Sequence, residues 1–150
     1  MKPTRQKGKG IMKKANLPFK SEGLTCELCG KDLAEKMSGN VIFVRECDAQ
    51  GHATDKIIDV VLVCKECDPA FQDAARKKNL NPTLWNELSH YTNPVIWMSN
   101  LIFFLNDVEK GNYSSQAIKK YKNILWETFP YVAREISEDE NETARIILSI

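Results

Sequence analysis

The stretch Cys26-Glu27-Leu28-Cys29-Gly30 decides the fold of this chain together with its counterpart Cys64-Lys65-Glu66-Cys67. The spacing of two cysteines around two residues lets both thiolates of one tight turn reach a single tetrahedral ion at about 2.3 Å. A glycine at position 30 suits such a turn, because the residue after it often needs a left-handed backbone. Two pairs, 34 residues apart, complete a closed shell. The pattern predicts one structural Zn²⁺ ion held by Cys26, Cys29, Cys64 and Cys67; chance spacing or two disulfides are the alternatives.

The cysteine count and the apolar stretches predict the compartment. Five cysteines, an odd number, favour metal binding over disulfides in a reducing environment. The basic N-terminus is not followed by the apolar run of a signal peptide. The longest apolar stretch, Val95 to Leu105, is about half of the roughly 20 residues that span a bilayer. We therefore expect a cytoplasmic protein that is not in a membrane.

Charge is distributed unevenly along the chain. The formal net charge is +1, but residues 1–20 carry seven basic side chains and no acidic one, while the remainder holds 14 basic and 20 acidic residues. Glycines and prolines interrupt this segment, and it has few apolar residues. Residues 1–20 are therefore predicted to be a flexible basic arm.

Two apolar, β-branched runs follow the first cysteine pair. Residues 41–44 and 57–63 are predicted to be strands joined by a long polar loop. This order, from a cysteine turn through a β-hairpin to a second cysteine pair at the start of a helix, resembles the treble-clef zinc fingers. The resemblance covers residues 24–79, and it implies a fold but no single function. Treble clefs include ribosomal proteins, nucleic-acid-binding regulators, protein-interaction modules and HNH nucleases.

The nuclease branch of that resemblance implies histidines that this chain lacks. HNH enzymes need a histidine near the end of the first strand and a histidine or asparagine on the helix. Here the strand ends in Arg45-Glu46-Cys47-Asp48, and the only histidines are His52 in the loop and His90 late in a predicted helix. No glycine-rich phosphate loop or nucleophile motif stands out elsewhere. The chain is therefore predicted not to be an enzyme.

The rest of the chain is predicted to be helical. Asp68-Pro69, Asn81-Pro82 and Asn93-Pro94 each combine a capping side chain with a proline suited to the first helical position. They predict helices near residues 69–78, 82–91 and 94–109, the third being apolar nearly all round and therefore the expected core helix. A fourth helix follows Ser114 or Ser115 and is broken or kinked at Pro130. A capping box, Ser137-Glu138-Asp139-Glu140, predicts a last helix that runs to about Ile150.

These elements predict an α+β fold with three parts. Residues 1–20 form the arm, 21–79 the treble-clef-like module of knuckle, hairpin and helix, and 80–150 an all-helical domain. The function predicted first is a small, zinc-stabilised protein without catalytic activity that binds nucleic acid, DNA or RNA, or acts as a regulatory protein. The alternative is an adaptor or inhibitor that binds a partner protein through the helical half.

Cations of the arm, of the helix after Cys67 and of the fourth helix are the candidate contacts to phosphate. Arg76 and Lys77 also suit the C-terminus of a helix without any partner, and the lysines of the fourth helix also fit a solvated face. The candidates are Lys2, Arg5, Lys7, Lys9, Lys13, Lys14, Arg76, Lys77, Lys119 and Lys122.

Overall fold

The computed structural model describes residues 23–133 and 137–148. The predicted basic arm lies outside the described residues. Within them the fold is α+β, with one three-stranded antiparallel sheet and four α-helices. In chain order the elements are β1 (Asn40–Cys47), β2 (Ala53–Val63), α1 (Asp68–Lys77), β3 (Leu80–Glu87), a 3-10 helix (Leu88–Thr92), α2 (Pro94–Glu109), α3 (Ser115–Val132) and α4 (Glu138–Leu148).

The central strand of the sheet is β1, and the strand order is β2-β1-β3. Both predicted strands are confirmed. Residues 41–44 are buried throughout, because β1 has a neighbour on each edge and cover on both faces. Phe43 pairs with Val60 on one side and with Leu84 on the other. A continuous apolar run is what a strand in this position requires.

The helix predicted at 82–91 is wrong. Residues Leu80–Glu87 form β3, which pairs antiparallel with β1, so the segment 80–150 is not all-helical. Asn79, with φ of +59°, reverses the chain after α1 and delivers it to the open edge of β1. Pro82 is tolerated because β3 is an edge strand.

The prediction that residues 94–109 form the core helix is also wrong. The helix exists with nearly the expected bounds, and Asn93 caps it by accepting from the backbone N–H groups of Val95 and Ile96. Only Phe104 of α2 is fully buried, however. The central helix is instead α3, which contributes eight buried residues and packs on β2 and α2.

Two further predictions concern α3 and α4. Ser114 caps α3, and the helix continues through Pro130 to Val132, so the proline does not end it. The capping box is confirmed, because Ser137 Oγ accepts from the Glu140 N–H while the Glu140 carboxylate accepts from the Ser137 N–H. The buried apolar residues, from Leu24 to Tyr131, form one core that includes the first cysteine turn, the sheet, α2 and α3, with Phe71 of α1 packed against it.

Candidate metal centre and binding grooves

The first cysteine pair lies in a tight backbone turn. The Cys26 N–H donates to the Lys31 carbonyl at 2.9 Å, and the Gly30 N–H donates to the Cys26 carbonyl at 2.8 Å. Gly30 has φ of +75°, as its place after the turn predicts. The Glu27 N–H donates to the Leu62 carbonyl at 2.9 Å and so fixes this turn against the end of β2.

The second pair joins β2 to α1. Cys64 follows the last residue of the strand, and Cys67 is the N-cap residue of the helix. The N–H groups of Cys67 and Asp68 both donate to the Cys64 carbonyl, at 3.1 and 3.2 Å. The sheet register and the helix start therefore place this pair opposite the first one.

The four sulfur atoms meet in one cluster. All lie within 4.8 Å of one another, and the Sγ atoms of Cys29 and Cys64 are 3.8 Å apart. A tetrahedron with metal–sulfur distances of about 2.3 Å has sulfur–sulfur edges of about 3.8 Å. The four cysteines are therefore close enough to bind one metal ion, and their number and spacing are consistent with zinc.

The pKa values of the thiols in this cluster are also consistent with a bound cation. Burial opposes ionisation of Cys26, but hydrogen bonds from neighbouring backbone N–H groups lower the pKa of its thiol to about 6. A hydrogen bond to Cys64, together with burial, raises the pKa of Cys67 to about 12. Thiols this close resist joint ionisation, so a divalent ion supplies the positive charge that four thiolates need.

Other candidate ligands and nucleophiles lie outside this cluster. Cys47 is half-buried at the end of β1. The side chains of His52 and His90 are exposed and lie near Asp48 and Glu87, at 3.8 and 3.9 Å.

Two candidate phosphate contacts, Lys119 and Lys122, line a groove of about 870 Å³ between α3, the end of β2 and residues 23–27. We call it the α3 groove. Both lysines are exposed and, within the described parts of the chain, form no ion pair. Lys120 differs, because its ammonium group lies 2.8 Å from Glu27 and 3.0 Å from Asp59. Burial opposes its charge, but the two carboxylates outweigh that effect and raise the pKa of Lys120.

The α3 groove also contains an exposed aromatic residue. Trp126 is 47% exposed and lines the groove with Asn123. The spacing of positions 119, 122 or 123 and 126 along α3 is that of one helix face, a signal from which this cluster was predictable.

Arg76, another predicted phosphate contact, lies elsewhere. It lines a smaller groove of about 380 Å³ with Lys65, Thr83 and Trp85, and this groove shares no lining residue with the α3 groove. The structure therefore does not combine Arg76 with Lys119 and Lys122 into one patch. Lys77 is exposed in the last turn of α1. The arm candidates lie outside the described residues.

The described chain begins at the α3 groove. Gly23 lines it, and the Gly23 N–H donates to the carboxylate of Glu127, a residue buried in α3. Residues 1–20, with their seven basic side chains, are therefore separated in sequence by only two residues from Gly23, which lines the same groove as Lys119 and Lys122.

A long apolar surface was also missed. The outward side of α2 exposes five large apolar side chains, and part of it forms a groove of about 470 Å³. Among the described residues, no helix is both long enough and apolar enough to cross a membrane. The five residues, which we call the α2 stripe, are Val95, Met98, Ile102, Phe103 and Leu105.

Comparisons of this chain with models of protein families, with curated proteins and with solved structures find no match.

Proposed function

We propose that this protein is a non-catalytic, zinc-stabilised protein that binds single-stranded nucleic acid through the α3 groove and the basic arm. The observation that carries the proposal is the grouping of two exposed lysines and an exposed tryptophan at the point where seven further cations join the body. Four thiolate ligands leave no open position on the ion, so its role is structural. Thiolate ligation requires a reducing compartment, for which we propose the cytoplasm.

The α3 groove contains residue types that suit the phosphates and the unpaired bases of a single nucleic-acid strand. Lys119 and Lys122 offer charge to the phosphates, and Trp126, which is 47% exposed, is a residue of the aromatic type on which unpaired bases stack. Bases in a duplex are already stacked on each other, so a single tryptophan favours single strands.

Charge indicates that the arm supplies much of the affinity. Residues 21–150 hold more acidic than basic side chains, and Glu27 and Asp59 in or beside the groove already neutralise Lys120. The groove therefore contributes position and stacking, and the arm contributes most of the counterion release.

Fluorescence anisotropy with labelled single-stranded and duplex DNA and RNA tests this proposal, with full-length protein over a series of salt concentrations. Each phosphate contact on a single strand changes the log–log salt slope by about 0.7, so K119A/K122A flattens the slope by about 1.4. Replacement of Lys7, Lys9, Lys13 and Lys14 with alanine flattens it by about 3. The matched control is R76A/K77A, because Arg76 lines the smaller groove and Lys77 is its neighbour in sequence. This variant leaves the salt slope unchanged.

The tryptophan gives an independent readout. W126A weakens binding by about 1–3 kcal/mol without changing the salt slope, because stacking releases few counterions. W85A is the control, since Trp85 is 45% exposed in the other groove. The proposal is wrong if the full-length protein binds no nucleic acid at near-physiological salt, or if the groove variants and their controls behave alike.

A second candidate function, an adaptor that binds a partner protein through the helical half, is favoured by the α2 stripe. Monomeric proteins rarely expose large contiguous apolar patches, and those that do use them as interaction sites. Metal-loaded protein as bait in native lysate, with and without nuclease, distinguishes this candidate: a partner retained after nuclease treatment and lost in M98E supports it.

A further inference from the structure

We propose that the α2 stripe is the interface of a homodimer in which two copies of α2 pack antiparallel about a twofold axis near Asn100. The proposal concerns a surface separate from the α3 groove and does not depend on nucleic-acid binding.

The first observation is that α2 has two apolar faces. Trp97, Leu101, Phe104 and Val108 pack on the core, with Trp97 donating its indole N–H to Thr128 Oγ1 at 3.0 Å. Residues 95, 98, 102 and 105 form a second row on the outward side, and their side chains are 74%, 53%, 48% and 52% exposed. A helix that is apolar all round is normally covered on all sides. Within the described residues, this row has no such cover.

The spacing of the outward row identifies an α-helix as its cover. The intervals are three, four and three residues, which is the seam of a two-helix coiled coil. The row spans about 15 Å, or nearly three helical turns. Ser99 lines the groove between these side chains and is small enough to let a second helix approach.

The same spacing favours a second copy over a different helix. The pattern three-four-three reads identically in both directions, so a twofold axis at residue 100 places Val95 opposite Leu105 and Met98 opposite Ile102 of the other copy. An isologous interface needs such self-complementarity. From Pro94 to Asn106 there is no charged residue, so two copies meet without like-charge repulsion.

The available area sets the strength of the dimer. Five side chains that are about half to three-quarters exposed offer on the order of 500 Å² per copy, so the pair buries on the order of 1,000 Å². This is the lower end for a specific interface. We therefore expect a reversible dimer with a dissociation constant in the micromolar range.

Sedimentation equilibrium of the full-length, metal-loaded protein without nucleic acid tests the proposal. The expected result is a monomer–dimer equilibrium that M98E and I102K each weaken at least tenfold. L84E is the matched control, because Leu84 is an apolar residue of β3 that is 43% exposed and does not line the groove of the stripe, and it leaves the equilibrium unchanged. Circular dichroism melts at low concentration check that each variant remains folded.

A mixture of the two variants tests the antiparallel register. Position 98 of one copy faces position 102 of the other, so M98E and I102K together form a heterodimer that restores dimerisation. A protein that stays monomeric at all concentrations overturns the proposal, as does a dimer that M98E leaves intact. Variants that fail to complement each other overturn the register, and a stable complex between the stripe and a different protein overturns the homodimer.

Discussion

Tyr91 and Tyr121 meet in the core through their hydroxyl groups, which lie 2.8 Å apart, and the Tyr91 hydroxyl lies 2.9 Å from Asn86 Oδ1. Burial raises the pKa of Tyr121 to about 12 and holds the pKa of Tyr91 well above its usual value. A tyrosine in the unfolded chain has a pKa of about 10. Above that pH the folded state binds more protons than the unfolded state, so the free energy of unfolding decreases as pH rises.

We therefore expect stability that is fully present below about pH 10 and is lost between about pH 10 and 12. Urea denaturation at several pH values measures the slope, and Y91F/Y121F should have a shallower one. At neutral pH the Y91F single variant should lose about 0.5–1.5 kcal/mol, since one hydrogen-bonded hydroxyl is removed. An equal alkaline slope in the wild type and the double variant contradicts this account.

A second residue-scale prediction concerns Gly30. A Cβ atom there meets nothing within 4 Å, so G30A introduces no clash and only the cost of a left-handed backbone, about 1–2 kcal/mol. Gly51, with φ of +83° and equally open surroundings in the β1–β2 loop, is the matched control. Both variants should lose similar stability, but only G30A should release its metal to a chelator more readily. Equal metal retention in the two variants would show that the backbone conformation of Gly30 does not support metal binding.

At the scale of elements, α2 places two adjacent phenylalanines in different environments, one in the core and one at the surface. Phe104 is buried against the rings of Tyr113 and Tyr121, each with its centroid 5.0 Å away, whereas Phe103 is 65% exposed in the α2 stripe. F104A should lower the free energy of unfolding by about 3–5 kcal/mol. F103A should change it by less than about 0.5 kcal/mol when the chain is monomeric. Urea denaturation at low protein concentration measures both, and similar losses would contradict the orientation of α2.

Two identical Asn-Pro signals show how far local sequence predicts an element. Asn93-Pro94 starts α2 as expected, but Asn81-Pro82 lies inside β3. Local capping chemistry is the same at both sites, so the difference is tertiary. The buried strand β1 has an open edge that the segment after Asn79 satisfies with ladder hydrogen bonds. The strand formers Thr83 and Trp85 and the turn at Asn79 were the local signals for this outcome.

At the scale of the whole molecule, the metal site was predictable and the grooves were not. Each cysteine pair is local, and only the meeting of the two pairs depends on the fold. The α3 groove instead combines residues from three segments that are distant in sequence. Glu27 and Asp59 form ion pairs with Lys120, whereas Lys119 and Lys122 stay exposed. The exposure of α2 likewise depends on which helix occupies the core, and composition favoured α2 over α3 because α2 is the more apolar helix.

Metal removal should affect the whole body, because the knuckle residues Leu24 and Cys26 belong to the same core as Tyr121. Structural zinc contributes an apparent 10–16 kcal/mol in small fingers, against a typical total stability of about 5–15 kcal/mol. We expect one zinc per purified chain. We also expect C26S or a strong chelator to abolish two signals together: the helical circular dichroism and the fluorescence of Trp97, which packs against the core.

The control for C26S is C47S, since Cys47 is half-buried at the end of β1 and outside the sulfur cluster. It should keep its zinc and its thermal transition, because it removes little apolar contact and no ligand. Elemental analysis and thermal melts followed by both probes measure these outcomes. A metal-free variant that kept its helical circular dichroism and lost order only around the first cysteine turn would show that the metal site and the helices are two independent folding units. The continuous core from Leu24 to Tyr131 argues for a single one, in which metal ligation, sheet and helices form or are lost in one transition.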